Sequence, residues 1–313
     1  MNPESLKNIN GFPMFHLCSE ENIRSSMAYQ PRVGDVIIVT YPKCGTKWTQ
    51  YIVSNILTKG NVPEDPVEYM LFTPHIEMMG AEAAENPARK GPLMTHLSLS
   101  NMVFSKQAKY IYVARNPFDC CVSYYHFMKG VTPKTFDATF GAFLEIFISG
   151  ECAYGGYFEH LLPWYGLRNE PNVLFFTYEQ LKRNTEEMVI TIADFVGAEH
   201  GGALRADKSL LEEILELCSS RNMKIVFNYS PADIIKRFAE LPPERSLKSM
   251  EVYNKPAGPT QEMHDGSGFV RKGIIGDWRN HFTPQHIAAM KAWIDEKTTG
   301  SDVMDLWKGL DLP

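Results

Sequence analysis

The fold is decided by one stretch of the chain, which reads Thr40-Tyr41-Pro42-Lys43-Cys44-Gly45-Thr46-Lys47-Trp48. The six residues before it, 34–39, read Gly-Asp-Val-Ile-Ile-Val, which is typical of a turn followed by a strand buried on both faces of a sheet. Pro42 cannot donate a hydrogen bond to a neighbouring strand, so we expect the strand to end there. From Thr46 onward, apolar residues recur at helical spacing, which predicts a helix directly after the loop.

The loop between this strand and this helix has the features of an anion-binding site. Free backbone N–H groups and the positive end of the helix dipole meet at a helix N-terminus. Lys43 and Lys47 add two positive charges, and Thr46 adds a hydroxyl. The spacing matches neither a Walker A loop nor a dinucleotide-binding loop. Taken alone, the stretch is equally well explained as a turn in which Gly45 only relieves strain.

The composition excludes several classes of protein. The chain has 313 residues, of which 44% are hydrophobic, and this length suits one large α/β domain or two small ones. Its net charge of −6 gives no basic footprint for nucleic acid. Residues 1–20 lack the apolar core of a signal peptide, and no apolar run approaches membrane-spanning length. We therefore expect a cytoplasmic protein with neither a nucleic-acid partner nor a membrane partner.

The cysteine pattern agrees with a reducing compartment. Six cysteines occur without any C-x-x-C pair, and two of them are adjacent at 120 and 121. This spacing fits free thiols better than a disulfide framework or a zinc site. The sequence shows no other constellation of metal ligands, so we expect no bound metal.

A second strand–loop–helix unit follows further along the chain. An apolar strand at 109–114 leads into Arg115-Asn116-Pro117-Phe118-Asp119, where we expect Asp119 to cap a helix that carries Ser123. The ends of parallel strands meet at one edge of a sheet. The cations near such ends would therefore share one crevice, and their number suits a nucleotide with phosphates at two positions: Lys43, Lys47, Arg115, Arg271 and Lys272.

The alternation of strands and helices predicts an α/β protein. We expect a single domain over residues 1–313, with a central, mostly parallel sheet flanked by helices. Residues 1–33 are expected to form an arm across this domain. The stretch 228–268 is rich in Pro and Gly, which is typical of a lid over a substrate pocket.

Four motifs resemble those of the cytosolic sulfotransferases. Residues 41–48 resemble the family's 5′-phosphosulfate loop, and 115–119 together with Ser-Tyr-Tyr-His-Phe at 123–127 are similar to its 3′-phosphate signature. Arg-Lys-Gly-x-x-Gly-Asp-Trp at 271–278 resembles its C-terminal motif, and Thr-His-Leu at 95–97 resembles the segment with its catalytic histidine. The motifs lie in the family's order and span most of the chain. They imply the sulfotransferase fold, with a P-loop-like phosphosulfate-binding loop.

The resemblance implies a reaction. A sulfuryl group would pass from 3′-phosphoadenosine 5′-phosphosulfate (PAPS) to the hydroxyl or amine of a small aromatic acceptor such as a phenol, catechol or monoamine. The other product would be adenosine 3′,5′-bisphosphate (PAP). His96 would be the general base, since the pKa of an imidazole is about 6.5. Lys43 would stabilise the leaving phosphate.

The resemblance also implies two sets of binding residues. Trp48 would stack on the adenine, Tyr178 would contact the base, and the whole donor site would comprise Lys43, Cys44, Gly45, Thr46, Lys47, Trp48, Arg115, Ser123, Tyr178, Cys218, Ser220, Met223, Phe269, Val270, Arg271, Lys272 and Gly273. The acceptor pocket would be lined by Phe15, His75, Met94, Thr95, His96, Phe127 and Phe136.

Three positions depart from the family's pattern. Met94 stands where members often carry a lysine, and Lys47 stands where they usually carry Thr or Ser. Our hypothesis is that the Lys47 ammonium partly compensates for Met94. Ser220 replaces an aromatic residue beside the adenine. These departures leave an alternative open, namely a binding protein on the sulfotransferase fold that sequesters a nucleotide or a small acceptor with weak or no turnover.

Two further features bear on partners. The family's dimer motif is altered at Arg279, Pro284 and Ala288, so we expect a monomer or a weak homodimer. Glu77 or Glu145 would attract a cationic amine acceptor if either faced the pocket, but we expect both carboxylates at the surface. A kinase-like phosphoryl transferase is disfavoured because the chain has no Walker A loop.

Overall fold

Four parallel strands form the centre of the protein. The computed structural model describes residues 6–15, 18–131, 138–229, 234, 236–238, 240–242, 245–254 and 271–313. The strands are β1 Leu6–Ile9, β2 Phe12–Phe15, β3 Val36–Thr40, β4 Leu93–Thr95, β5 Lys109–Ala114 and β6 Val173–Thr177. The central sheet has the order β4-β3-β5-β6, and every neighbouring pair in it is parallel. The predicted parallel α/β sheet is confirmed.

Helices surround this sheet. In the first half of the chain they are α1 Glu20–Ala28, α2 Thr46–Thr58, α3 Pro66–Phe72, α4 Ile76–Glu85, α5 Pro117–Val131, α6 Phe140–Ser149 and α7 Tyr157–Gly166. In the second half they are α8 Tyr178–Arg183, α9 Thr185–Val196, α10 Ala198–Ala206, α11 Lys208–Leu217, α12 Ser220–Val226 and α13 Pro284–Lys297. Within the described residues, no helix is long and apolar enough to cross a membrane.

The strand side chains alternate between two apolar layers. In β3, Ile37 and Val39 pack with α5, α6, α7 and α13 on one face, whereas Ile38 packs with α2, α9 and α11 on the other. All five residues of β3 are buried, as a strand covered on both faces requires. Tyr112 of β5 stacks between Trp164 and Phe175 at ring-centroid distances of 5.5 and 5.1 Å. The sheet is therefore a rigid support for whatever follows its strands.

Each central strand is followed directly by a candidate site residue. His96 follows β4, Arg115 follows β5, and Tyr178 follows β6. The loop with Lys43 follows β3. Because the four strands are parallel and adjacent, their C-terminal ends lie at one edge of the sheet. The fold thus brings residues that are far apart in sequence to a single site.

The N-terminal arm contains a hairpin and a helix that the sequence did not lead us to expect. Its first part is an antiparallel hairpin of β1 and β2, closed by Asn10 and Gly11 with φ of 55° and 85°. The Asn-Gly dipeptide is a strong sequence signal for such a two-residue turn, so the hairpin was predictable. The Tyr154 N–H donates to the Pro13 carbonyl at 2.7 Å. This bond fixes the arm against the segment before α7.

The expectation that Asp119 caps α5 is wrong. The Asp119 N–H donates to Asn116 Oδ1 at 2.9 Å, so Asn116 is the capping residue. The Asp119 carboxylate instead accepts hydrogen bonds from the N–H groups of Gly276 and Trp278, at 2.7 and 3.0 Å. It therefore fastens the C-terminal motif to the start of α5, beside Arg115.

About half of the predicted lid, 228–268, lies outside the described residues. The missing parts are 230–233, 235, 239, 243–244 and 255–268, and Phe136, Phe269 and Val270 also lie outside the described part of the chain. Four buried residues of the 228–268 stretch belong to an apolar cluster with α3 and α4, and these are Ile234, Phe238, Leu247 and Met250.

Gly45→Ala is expected to destabilise the protein by about 1–3 kcal/mol, because φ at this position is 103° and a Cβ atom would lie 2.9 Å from Tyr178 Cδ2. Gly202→Ala is the matched control. Gly202 lies in α10 without positive φ and with open space around it, so alanine should stabilise the helix by up to about 1 kcal/mol. Urea unfolding of both variants measures the change, and equal effects would contradict the strain at Gly45.

Candidate active site

The loop after β3 turns sharply into α2. Lys43 and Gly45 both have left-handed backbones, with φ of 72° and 103°, and Gly45 is the residue that precedes α2. The hydroxyl groups of Thr40 and Thr46 share a hydrogen bond of 2.6 Å across the loop. The strand end and the helix N-terminus are thereby locked together, with the first-turn N–H groups gathered at one place.

His96 is held at three atoms. Its Nδ1 lies 2.8 Å from the Thr40 carbonyl oxygen, its N–H donates to Glu77 Oε1 at 2.5 Å, and its carbonyl accepts from His160 Nε2 at 3.2 Å. A carbonyl oxygen only accepts hydrogen bonds, so Nδ1 carries the ring proton and Nε2 has the lone pair. Burial lowers the pKa of His96 to about 3. The ring is therefore a neutral base at physiological pH.

An aromatic wall runs from His96 to Lys43. The His96 ring packs edge to face with Tyr154 and with His75, at 5.2 and 5.3 Å between centroids. Tyr154 contacts Phe15 at 5.8 Å, and Phe15 contacts Phe127 at 6.2 Å. The Lys43 ammonium lies 4.4 Å from the Phe127 ring centroid. Four of the predicted pocket residues are thus brought together, while Tyr154 was not predicted.

Met94 and Thr95 lie deeper than a pocket lining requires. Both are almost fully buried in β4, with 3% and 0% of their surface exposed. The Met94 N–H donates to the Pro74 carbonyl at 3.0 Å, and Thr95 Oγ1 accepts the Leu97 N–H at 3.1 Å. The Thr95 hydroxyl therefore stabilises the turn after β4.

Arg115 joins the first loop to the C-terminal motif. Its guanidinium donates to the carbonyls of Lys43 and Ile274, at 3.0 and 3.4 Å, and lies 4.5 Å from the Tyr178 ring centroid. Its Nε atom is buried and has no hydrogen-bond partner among the described residues. Arg271 and Lys272 both contact the Asp277 carboxylate, at 2.5 and 2.7 Å. Asp277 thus pairs with two of the cations of the C-terminal motif, while the buried Arg115 Nε has no such partner among the described residues.

An aromatic pair, Trp48 and Tyr178, lies beside the loop with its rings edge to face. Trp48 donates from Nε1 to the Cys218 carbonyl at 2.9 Å, and its ring contacts that of Tyr178 at 5.7 Å. The Lys182 ammonium lies 5.4 Å from the Trp48 ring and 3.2 Å from Ser220 Oγ. Lys182 is not among the predicted donor-site residues, because α8 contains none of the four family motifs. Met223 is buried, and Ser123 is half-buried on α5.

Comparison with known proteins identifies this arrangement. A family model described as a sulfotransferase domain matches residues 33–230 and 232–302. The chain belongs to the sulfotransferase family. Mouse sulfotransferase 1B1 is 32% identical over 312 residues, which cover 95% of this chain and 93% of the relative. Bovine sulfotransferase 1E1 is 32% identical over 286 residues, which cover 88% and 86%.

Solved structures agree with this membership. Mouse sulfotransferase SULT7A1, complexed with PAP, has a TM-score of 0.73 at 27% identity and covers 97% of this chain and 98% of its own. Retinol dehydratase with androsterone and PAP shares the fold at a TM-score of 0.72 and 20% identity. The protein is therefore a PAPS-dependent sulfotransferase with an α/β fold.

The electrostatics of this sulfotransferase fit an anionic donor. Burial lowers the pKa values of both Lys43 and Lys47 to about 8, and the charges of Arg115 and Arg271 add to the effect at Lys43. Positive charges that repel one another are stabilised when an anion is placed between them. The lowered pKa values and the unpartnered Arg115 Nε are what buried donors without a counter-anion have, so an anionic ligand is compatible with the residues present.

PAP is expected to bind more weakly as the pH rises through about 8, where Lys43 and Lys47 lose their protons in the free protein. A bound phosphate favours the charged lysines and raises both pKa values, so binding near this pH takes up protons. Titration calorimetry in two buffers of different ionisation enthalpy measures the number of protons taken up when PAP binds. Lys47→Gln should take up fewer, and Lys208→Gln, exposed on α11, should match the wild type. An affinity that stays flat from pH 7 to 9 would contradict this.

Proposed function

We propose that this sulfotransferase transfers the sulfuryl group of PAPS to the hydroxyl or amine of a small aromatic acceptor, with His96 as the general base and Lys43 at the leaving phosphate. The observation that carries the proposal is the bond from His96 Nδ1 to the Thr40 carbonyl, which leaves the Nε2 lone pair available. That ring borders the aromatic wall, and Lys43 lies at the other end of the wall.

The proposed reaction is an in-line displacement at sulfur. His96 Nε2 takes the proton of the acceptor hydroxyl while the acceptor oxygen forms its bond to sulfur. The bond from sulfur to the 5′-phosphate oxygen breaks, and the electron pair leaves with PAP. Lys43 and the N–H groups of the loop stabilise the charge that develops on that phosphate. Positioning and fixed positive charge supply most of the rate in such a transfer.

Donor binding is proposed at the loop after β3, at the cations around Arg115, and at the aromatic pair of Trp48 and Tyr178. The 5′ end would be held by Lys43, Cys44, Gly45, Thr46 and Lys47. Arg115, with Ser123, would hold the 3′ phosphate, and its orphaned Nε supports this role. Arg271, Lys272 and Gly273 would complete that end. Trp48 and Tyr178 would contact the adenine, near Cys218, Ser220 and Met223.

The aromatic wall supports the proposed class of acceptor. A flat aromatic ligand can make the edge-to-face contacts that aromatic pairs prefer. A pocket bordered by these rings therefore favours such a ligand. Phenols, catechols and aromatic monoamines are the proposed acceptors. The hairpin of the arm contributes Phe15 to the wall, so residues 1–33 are proposed to shape the pocket.

The setting of the enzyme is also a proposal. All six cysteines are free and buried in the part of the chain that the structure describes, which suits a reducing compartment such as the cytoplasm. Arg279 of the altered dimer motif contacts Asp311 of its own chain at 2.7 Å. This pairing supports a monomer or a weak homodimer.

Lys47 is proposed to supply the positive charge that Met94 lacks. Its ammonium donates to Gln50 Oε1 at 3.0 Å, and Gln50 Nε2 donates to the Thr73 carbonyl at 2.7 Å. The next residue, Pro74, accepts the Met94 N–H. Lys47 is therefore linked by short contacts to the segment that runs beside Met94.

His96→Ala is expected to lower sulfuryl transfer by about 10²–10⁴-fold, the usual contribution of a general base, while PAP affinity stays unchanged. Transfer from radiolabelled PAPS to a panel of phenols, catechols, amines and sterols measures the loss. His200→Ala, a histidine of α10, should behave as the wild type. Wild-type protein that binds PAP but sulfonates no acceptor would instead support a binding protein.

Lys47→Thr is expected to lower kcat at least about tenfold and to weaken PAP binding, because one cation beside the transferring group is lost. Adding Met94→Lys to this variant should restore part of kcat, whereas adding Met94→Leu should not. Steady-state kinetics of the three variants make the test. Unchanged transfer and unchanged PAP affinity in Lys47→Thr would show that the ammonium plays no part.

A further inference from the structure

Glu77 is a buried carboxylate whose position contradicts the expectation from sequence. It is the second residue of α4 and has 0% of its surface exposed, whereas Glu145 on α6 is exposed as expected. The cause is the pairing of His75 with Met94, which extends the sheet edge and draws the start of α4 against β4. Glu77 therefore lies behind His96 and not at the surface.

Both carboxylate oxygens of Glu77 face imidazole-bearing residues. Oε1 accepts the His96 N–H at 2.5 Å, and Oε2 lies 3.3 Å from His75 Nε2. Oε2 and His75 Nε2 are both fully buried and have no partner with hydrogen-bond geometry in the described chain. Among the described residues, no lysine or arginine pairs with Glu77 within 4.0 Å. The neighbours of its two oxygens are therefore the His75 ring and the His96 main chain.

Glu77 remains ionised in this buried position. Burial raises the pKa of its carboxyl group, but the contact with His75 and the hydrogen bond from the His96 N–H outweigh that effect and hold the pKa below its usual value. A carboxylate that accepts a backbone N–H is stabilised in its charged form. His96 therefore has a fixed negative charge next to its main chain.

The other groups around His96 do not supply such a charge. Thr40 of β3 accepts at Nδ1, His160 of α7 donates to the carbonyl, and His75 and Tyr154 contact the ring by their edges. His160 is itself buried with a pKa lowered to about 4 by desolvation, so it is a neutral donor. Glu77 is the negative group in this set.

We propose that Glu77 is a positioning residue for sulfuryl transfer, which fixes the main chain of His96 and stabilises the imidazolium that forms when His96 takes the acceptor's proton. The proposal rests on the general-base role of His96 given above. Proton abstraction turns a neutral ring into a cation inside a buried site, and such a charge is costly unless an opposite charge lies close by. Glu77 provides that charge through the residue it also holds in place.

Glu77→Gln separates the two parts of this role. The amide oxygen keeps an acceptor for the His96 N–H, but the charge is gone. The variant is expected to lose about 10- to 100-fold in kcat, a part of what a general base supplies, with PAP affinity unchanged. Removing the negative charge lowers the pKa of His96. The acidic limb of the plot of log kcat against pH should therefore move to lower pH. A wild-type kcat with an unmoved limb would overturn the proposal.

Three comparisons make the outcome specific. Glu186→Gln, an exposed carboxylate on α9, is the matched control and should leave kcat unchanged. In a His96→Ala background, Glu77→Gln should cause no further loss, because it acts through His96. A further loss as large as in the wild type would overturn the proposal. An active His96→Ala would refute the proposed general base itself, whereas an inactive His96→Ala with an unaffected Glu77→Gln would refute only the role of Glu77.

Folding of the variants is checked by thermal unfolding and by PAP binding. If Glu77→Gln fails to bind PAP, Glu77→Asp is the second test. Aspartate keeps the charge but is one methylene too short to reach the His96 N–H, so kcat should fall while the acidic limb stays near its wild-type position. A wild-type kcat in Glu77→Asp would overturn the positioning part of the proposal.

Discussion

The site depends on the end of β3, where Thr40 makes two hydrogen bonds at once. Its carbonyl accepts from His96 Nδ1 at 2.8 Å, and its hydroxyl shares a bond of 2.6 Å with Thr46. The first bond joins β4 to β3 and sets the tautomer of His96. The second fixes where α2 begins, and with it the loop that carries Lys43. Base and cation are thereby both anchored to the same strand end.

Three buried carboxylates hold this arrangement together. Glu77 holds the main chain of His96, Asp119 fastens the C-terminal motif, and Asp277 contacts Arg271 and Lys272. Each is buried, so each charge is worth more than it would be at the surface. The cations at the strand ends are thus spaced and oriented before any anion arrives, which is what electrostatic preorganisation requires.

Much of the fold was predictable from local sequence. The strand before the first loop, the helix after it and the strand at 109–114 each follow from short-range periodicity, and the structure has all three. The positions of Lys43, Arg115 and His96 followed from strand ends in a parallel sheet together with the family motifs. The hairpin was also predictable from its Asn10-Gly11 turn, although the expected arm over residues 1–33 included no hairpin.

Other features were not predictable, because long-range contacts create them. Glu77 is buried where His75 pairs with Met94, and the Asp119 carboxylate accepts the N–H groups of Gly276 and Trp278 from a distant segment. Tyr154 reaches His96 from a segment that is fixed by Pro13 of the hairpin. In each case the partner lies tens of residues away, beyond the reach of a pattern of period 2 or 3.6.

The pKa values suggest an order of events for the proposed reaction. Without an anion, His96 is a weak base with a pKa of about 3, and Lys43 holds its proton less firmly than an exposed lysine, with a pKa of about 8. Both shifts arise mainly from burial, which penalises charge in the absence of a counter-ion. A phosphosulfate near these groups offsets that penalty for the ammonium and for the imidazolium alike. Donor binding would therefore raise the pKa values of both Lys43 and His96. His96 would then be a stronger base, and it would take the acceptor's proton readily only when a sulfuryl group is in place for transfer.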